Sequence, residues 1–271
     1  MALSLQHLAL IWWGNLVTNT GRYALFALST WAVLWVVLKT PLSGRKIRAE
    51  SPTGRQMALE FLISLRSIAI FATSAILMSL LARLGAYRLS EASEGWGPVW
   101  FAISLAFMIA GHDAAYYWTH RAMHRPTRFG RIHARHHRSN NPSPFTAYSL
   151  SLGEAAVLMS FVVIWPLLAP TPWPVVPLFM IHQIARNTLA HSGYELMPAR
   201  ADGRPMFDWL TTTTHHDLHH ADAGSNFGLY FTWWDRWMGT ENPGYHAAFA
   251  RAVRRPLAAI AAAGATAGAG G

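Results

Sequence analysis

The sequence predicts an all-α integral membrane protein, with four to five transmembrane or membrane-dipping helices and a cytoplasmic helical cap that carries clusters of histidine. Three observations support this. Apolar residues make up 52% of the chain and charged residues only 13%, against the roughly 25% charge usual in soluble domains. The apolar residues come in runs close to the ~20 needed to cross a bilayer. Most of the arginines fall near the predicted membrane edges.

The runs follow in order. Arg22 to Leu38, RYALFALSTWAVLWVVL, reads as the first span, with an extension by the segment before it left open. Residues 56–66 contain Glu60 and Arg66 and read as an interfacial lead-in helix. Ser67 to Leu84 is the second span and Val99 to Trp118 the third. Gly153 to Ala169 and Trp173 to Ala190, joined by the turn PTPWP, are shorter and hold polar residues, so they either span or dip into the membrane as a hairpin. The expected organisation is N-terminal transmembrane helices over 1–95, a histidine-bearing domain over 96–245, and a partly disordered tail over 246–271. There is no internal repeat.

Charge sets the orientation. The loop after the first span holds Lys39, Arg45, Lys46, Arg48 and Arg55 against the single acid Glu50, whereas residues 83–96 balance Arg83 and Arg88 against Glu91 and Glu94. The positive-inside rule makes the first loop cytoplasmic. The third span then returns to the cytoplasm near His120, where Arg121, Arg125, Arg128, Arg131, Arg135 and Arg138 follow with no acid among them. Every histidine cluster is thereby expected on one side of the membrane.

Composition narrows the chemistry. The absence of cysteine excludes disulfides, thiolate zinc sites, iron–sulfur clusters and a thiol nucleophile in this chain. The net charge of +9 is read as membrane-edge arginine, not nucleic-acid binding, since no nucleic-acid motif accompanies it. The start MALSLQH lacks a basic n-region, so no signal peptide is read. An excess of Arg over Lys and the tail GATAGAGG point to a GC-rich bacterial genome, and so to an inner membrane.

Twelve of the 14 histidines lie between His112 and His220. HRAMH supplies His120 and His124, HARHH supplies His133, His136 and His137, HSGYE opens with His191, and HDLHH supplies His216, His219 and His220. On a helix, residues three or four apart share a face, so each box can aim two or three imidazoles at one place. Neutral imidazole is the commonest side-chain metal ligand. Nine such residues are too many for one ion and suit two side by side. A lone histidine on an apolar face is more often structural, which is the reading for His7, His182 and His246. Zinc prefers four ligands, and imidazole suits Fe, Cu, Zn and Ni alike. A membrane-facing site suited to oxidising a lipid C–H bond favours iron, because zinc carries no redox chemistry. Candidate outer partners of the ligands are His112, Asp113, Asn187, His215 and Asp217, with helix capping an equal reading for the two aspartates. Asp235 is expected to clamp Arg236 or a box arginine, and Trp233, Trp234 and Trp237 to lie at the bilayer interface.

The segments HDAAYYWTHRAMH, HARHH, AHSGYE, HHDLHH and NFGLYFTWWDRWMGTE, in this order over about residues 105–242, resemble the fatty acid hydroxylase/sterol desaturase superfamily. AHSGYE, HHDLHH and FTWWDR are most similar to C4-methylsterol oxidases, and NPSPFTA to sterol C5-desaturases (lathosterol oxidases). The resemblance implies a helical, integral-membrane, non-haem di-iron enzyme using dioxygen, with the three boxes and His191 as ligands. Certain hydroxylases of the family carry a further histidine where Asn187 stands here, which leaves nine ligands or fewer. No HPGG-type cytochrome b5 segment is present, so electrons are expected from a separate ferredoxin- or cytochrome b5-like donor with its reductase. The expected function is O2-dependent hydroxylation or desaturation of a sterol-like lipid drawn from the bilayer. The alternatives are a carotenoid or fatty-acyl hydroxylase, a zinc-dependent membrane hydrolase, and a metal transporter.

Overall fold

The computed structural model describes residues 4–87, 89–90, 97–127 and 129–254. Much of the loop over 83–96, and the expected tail from residue 255 onward, therefore lie outside the described residues. Among the described residues, three helices are long and apolar enough to cross a membrane. The first, α1 (Leu5–Trp31), starts at Ser4, whose hydroxyl accepts the His7 amide, and runs on into a π-helical turn over Ala32–Val37. The second, α2 (Gly54–Arg83), is capped by Thr53. The third is α3 (Gly97–Met123). Two shorter helices follow, α4 (Leu152–Leu168) and α5 (Val175–Ala190). Between α2 and α3 lies β1 (Leu89–Ser90), which pairs in parallel with β2 (Thr171–Pro172) in the α4–α5 turn. The last described elements are three small helices, α6 (Thr213–Ala221), α7 (Trp233–Trp237) and α8 (Tyr245–Arg254). The helical membrane architecture is as the sequence predicts.

Two boundaries differ from the apolar runs, for a common reason. The first helix begins at Leu5, so the segment before Arg22 does extend it. Asn15, Thr18, Asn19 and Arg22 share one face of it, while Leu10, Trp13, Val17 and Leu25 stay exposed on the others. The polar positions interrupt the run without interrupting the helix. Likewise residues 56–66 are the first turns of α2 itself. Glu60 is buried and accepts hydrogen bonds from Gln56 Nε2 (2.8 Å) and Ser143 Oγ (2.7 Å), and Arg66 Nη2 donates to Leu150 O at 2.6 Å. These charges face protein rather than lipid headgroups.

The core that positions the site lies among α1, α2, α5 and a buried 3-10 turn over Pro144–Tyr148. Ser143 and Thr146 form a reciprocal capping box on this turn. The Tyr23 and Ser64 hydroxyls both donate to Phe145 O at 3.0 Å, and Tyr23, Phe71, Phe145 and Tyr148 pack around it. Across the bundle, α3 meets α4 so closely that a Cβ on Gly111 would come within 2.2 Å of the Trp165 ring. Only glycine allows that approach.

The end of α1, the loop of residues 39–53, the end of α3 and helix α6 lie together at one end of the helices. Trp35 Nε1 donates to Ser192 O at 2.8 Å, Glu195 N to Arg45 O at 2.9 Å, and Arg48 Nε to Asp217 Oδ1 at 2.7 Å. Gly193 makes the turn with φ of +76°, and a Cβ there would lie 2.9 Å from Trp35.

Candidate metal centre

All nine boxed histidines converge at this end and sort into two groups. The first contains His120, His124, His133, His137 and His219, and the second His136, His191, His216 and His220. Within each group the ligand atoms lie within 4.8 Å of one another. The groups adjoin: the His133 and His136 rings are 5.2 Å apart, and those of His137 and His220 5.1 Å. Separate elements deliver the rings. His120 sits in the last turn of α3 and His124 just beyond it, and His191 caps α5. On α6, whose N-terminus is capped by Thr212, His216 and His220 serve one group and His219 the other. Buried Glu195 of HSGYE accepts the Thr214 and Met197 amides, both at 2.9 Å, and so fixes the start of α6. The second box does not use the α-helical spacing that the sequence suggested. It lies on two short 3-10 turns, Gly130–Ile132 and His136–Arg138, where the turning backbone sends His136 to one group and His133 and His137 to the other.

Hydrogen bonding tests whether a cation fits. A neutral imidazole has one N–H and one lone pair. Nδ1 of His120 lies 2.9 Å from Phe227 O, that of His191 2.8 Å from Asn187 O, and that of His219 2.7 Å from Ser225 O. His133 Nδ1 lies 2.6 Å from Glu154 Oε1. Each of these nitrogens faces an acceptor and therefore carries the proton, leaving Nε2 bare. Yet His120 Nε2 and His133 Nε2 stand 3.0 Å apart, and His219 Nε2 is buried without a partner. In the second group His191 Nε2 lies 3.3, 3.0 and 3.2 Å from Nε2 of His136, His216 and His220. Facing lone pairs repel unless a cation lies between them. Separations near 3 Å are the edges expected around an ion with metal–nitrogen bonds of about 2.0–2.1 Å. The residues fit two metal ions, and every donor is an imidazole.

Electrostatics favour the same state. Burial pushes His124, His137 and His191 down to about 4, with the His137 imidazole adding to the effect on His124. His136, His216, His219 and His220 are pushed further down, by burial first and by neighbouring imidazoles second. All are neutral, and so able to ligate, at neutral pH.

The expected outer partners divide. Asn187 supports His191, though through its main-chain carbonyl; its side chain donates to Ala147 O at 2.7 Å. Asp113 touches no boxed ring and caps no helix. It accepts from Tyr230 N (2.8 Å), Phe231 N (3.3 Å) and Trp233 Nε1 (3.0 Å), tying α3 to the segment before α7. Asp217 pairs with Arg48. His215 turns away from both groups, against Tyr245 and 3.7 Å from Asp235 Oδ2. His112 is buried among Phe161, Phe179 and Tyr230. Asp235 does not clamp an arginine: it accepts Phe227 N and Gly228 N, both at 2.8 Å, and so shapes the turn that offers Phe227 O to His120. Arg236 pairs instead with Asp208 and Glu241. Trp237 is exposed, whereas Trp233 and Trp234 are half-buried against Phe231 and Tyr117. Glu154 was missed by the sequence reading, although a lone acid in an apolar helix is a signal for a functional residue.

A cavity of about 270 Å³ runs from His136, Tyr116 and Glu154 between the helices, past walls of Leu158, Val162 and Met180. On the other side of the centre, His124 and His137 line a surface cleft with Arg125 and Arg131.

The chain is similar to known proteins over the same region. A family model described as fatty acid hydroxylase matches residues 105–240, half of the chain. A Delta(7)-sterol 5(6)-desaturase of Gibberella zeae is 27% identical over 146 residues, covering 54% of this chain and 43% of that protein. Lathosterol oxidase of Mus musculus is 24% identical over 230 residues, covering 83% and 73%. Cholesterol 25-hydroxylase of Rattus norvegicus is 29% identical over 115 residues, covering 42% and 38%. The chain spans about half the length of the fungal desaturases it matches, 43% and 52%. No solved structure matches it.

Proposed function

The chain belongs to the fatty acid hydroxylase family, and from that premise we propose that it is a membrane oxidoreductase using dioxygen to hydroxylate or desaturate a C–H bond of a sterol-like lipid. The observation that carries this reading is a cavity, apolar along Leu158, Val162 and Met180, that reaches the histidine centre at His136. The proposed ligands are His120, His124, His133, His137 and His219 for one iron, and His136, His191, His216 and His220 for the other. Iron bound there supplies dioxygen activation and C–H oxidation, chemistry that zinc lacks.

The protein's own part is positioning and exclusion. The carbonyls of Phe227, Asn187 and Ser225 and the carboxylate of Glu154 hold the ring tautomers, so the bare nitrogens face inward before any ion arrives. Leu158, Val162 and Met180 take the apolar body of the substrate and keep water from the cavity. Tyr116, 4.9 Å from the His120 ring, stands where the cavity meets the first group. Electrons come from a separate ferredoxin- or cytochrome b5-like donor, for which Arg125 and Arg131 beside His124 offer a basic landing site. The basic loop over 39–55 supports a cytoplasmic orientation of the centre, and the proposed location is a bacterial inner membrane.

Lipid profiling of cells with and without the gene tests this. A lipid gaining one oxygen or losing one pair of hydrogens, present only with the gene and only under oxygen, is the expected result. Profiles that do not change with gene or oxygen overturn the reading.

A further inference from the structure

The wall of the cavity on α1 is polar where a membrane helix is normally apolar. Asn15, Thr18, Asn19 and Arg22 share a face at three- and four-residue spacing, and all four line the cavity that reaches His136. Arg22 lies near the middle of the apolar stretch Leu5–Val37, roughly 22 to 26 Å from either end at 1.5 Å per residue. A cation so placed is unfavourable unless an anion or water meets it. Among the described residues Arg22 forms no ion pair. Its hydrogen bond within the protein runs from Nη2 to Asn19 Oδ1 at 2.6 Å.

The hydrogen bonds of the amide side chains on this wall engage their oxygens, while the Thr18 hydroxyl donates to Gly14 O at 2.8 Å. Asn19 Oδ1 receives Arg22. Asn19 Nδ2 donates to Asn15 O at 2.9 Å and also to Asn15 Oδ1. Gln183 Oε1, also on the cavity wall, receives the Tyr148 hydroxyl. What these side chains still offer is N–H: the rest of the Arg22 guanidinium and the amide groups of Asn15 and Gln183. The complement of N–H donors gathered around a cation that forms no ion pair is a group that accepts and carries negative charge. A hydroxyl fits less well, because it adds a donor and no charge.

We infer that this wall holds the oxyanion end of an amphiphilic lipid, a carboxylate or a sulfate or phosphate ester. Its apolar body lies along the cavity toward Tyr116 and His136, so the carbon presented to the metal centre is remote from the charged end. This rests on the reading of the cavity as the lipid site, and it narrows the substrate class.

The test is equilibrium binding of matched pairs to the full, metal-loaded chain in phosphatidylcholine nanodiscs, without reductant, with empty discs subtracted. Cholesterol is compared with cholesterol 3-sulfate, and hexadecanol with hexadecanoate. The anionic member of at least one pair is expected to bind about tenfold tighter or more, and the pair that shows it identifies the body. Arg22→Gln is expected to abolish the preference and Arg22→Lys to keep part of it, with metal content unchanged in both. Equal binding within both pairs overturns the inference and leaves the lipid site standing, and this arm needs no variant. A preference that survives Arg22→Gln also overturns it. Failure of all four probes to bind removes the lipid site and the inference together.

Discussion

The two histidine groups use one residue type but face different media. In the first, His124 and His137 are half-buried and open on the cleft with Arg125 and Arg131. In the second all four histidines are buried, and His136 reaches the apolar cavity. The supports differ as well. The first group leans on Glu154 and the carbonyls of Phe227 and Ser225, and the second on the Asn187 carbonyl at the end of α5. Two groups can therefore be built asymmetrically from identical side chains, one with rings open to a surface cleft, the other buried beside a cavity.

Four changes break or sharpen this contrast, in falling order of effect. His191→Ala removes the ring at the centre of the second group. It is expected to lose one metal equivalent per chain and at least about 100-fold in product formation, since removing even an outer partner of a ligand costs 10–100-fold. Retention of both equivalents by elemental analysis would show that the groups are not separate sites. Glu154→Gln acts on the first group alone through His133. It is expected to weaken one of the two metals by about 10–100-fold in chelator competition, with the other unchanged.

Acid should separate the groups next. His124 and His137 sit at about 4 when folded, below the ordinary value near 6.5. Between those limits the unfolded chain binds protons that the native state does not, so native stability falls as pH falls from about 6.5 to about 4 and is level above 6.5. The half-buried first group is expected to release its metal first on this descent, read by metal retention after desalting at each pH. Simultaneous release of both ions would erase the distinction between an open and a closed group. The smallest effect belongs to Arg48→Ala. Its pair with Asp217 on α6 is partly exposed, so a loss of about 1 kcal/mol or less in thermal unfolding is expected, with both metals kept.

What the sequence disclosed, and what it hid, follows from the kind of interaction. The nine candidate ligands were legible because ordinary packing does not call for imidazoles at repeated short spacings in segments separated by apolar runs. The membrane helices were legible because transfer into lipid demands unbroken apolar length. The start of α1 was legible only as an extension left open, because Asn15, Asn19 and Arg22 face a cavity, and hydropathy averages over faces. The supports of the rings were hidden for another reason: Phe227, Asn187 and Ser225 contribute carbonyls, which every residue has. Asp113 and Asp235 were misjudged because their partners are main-chain amides near residues 227–231, far along the chain from Asp113. The two fates of the HARHH rings depended on 3-10 turns that no spacing rule specifies.

The placement of α6 bears on biosynthesis. His216, His219 and His220 reach the centre from the far side of every long helix in chain order, so a polypeptide halted before Thr213 holds four rings of the first group and two of the second. Completion of both sites then follows the ribosome's passage through α6 and the insertion of all the earlier helices. Until that moment the second group has half its rings.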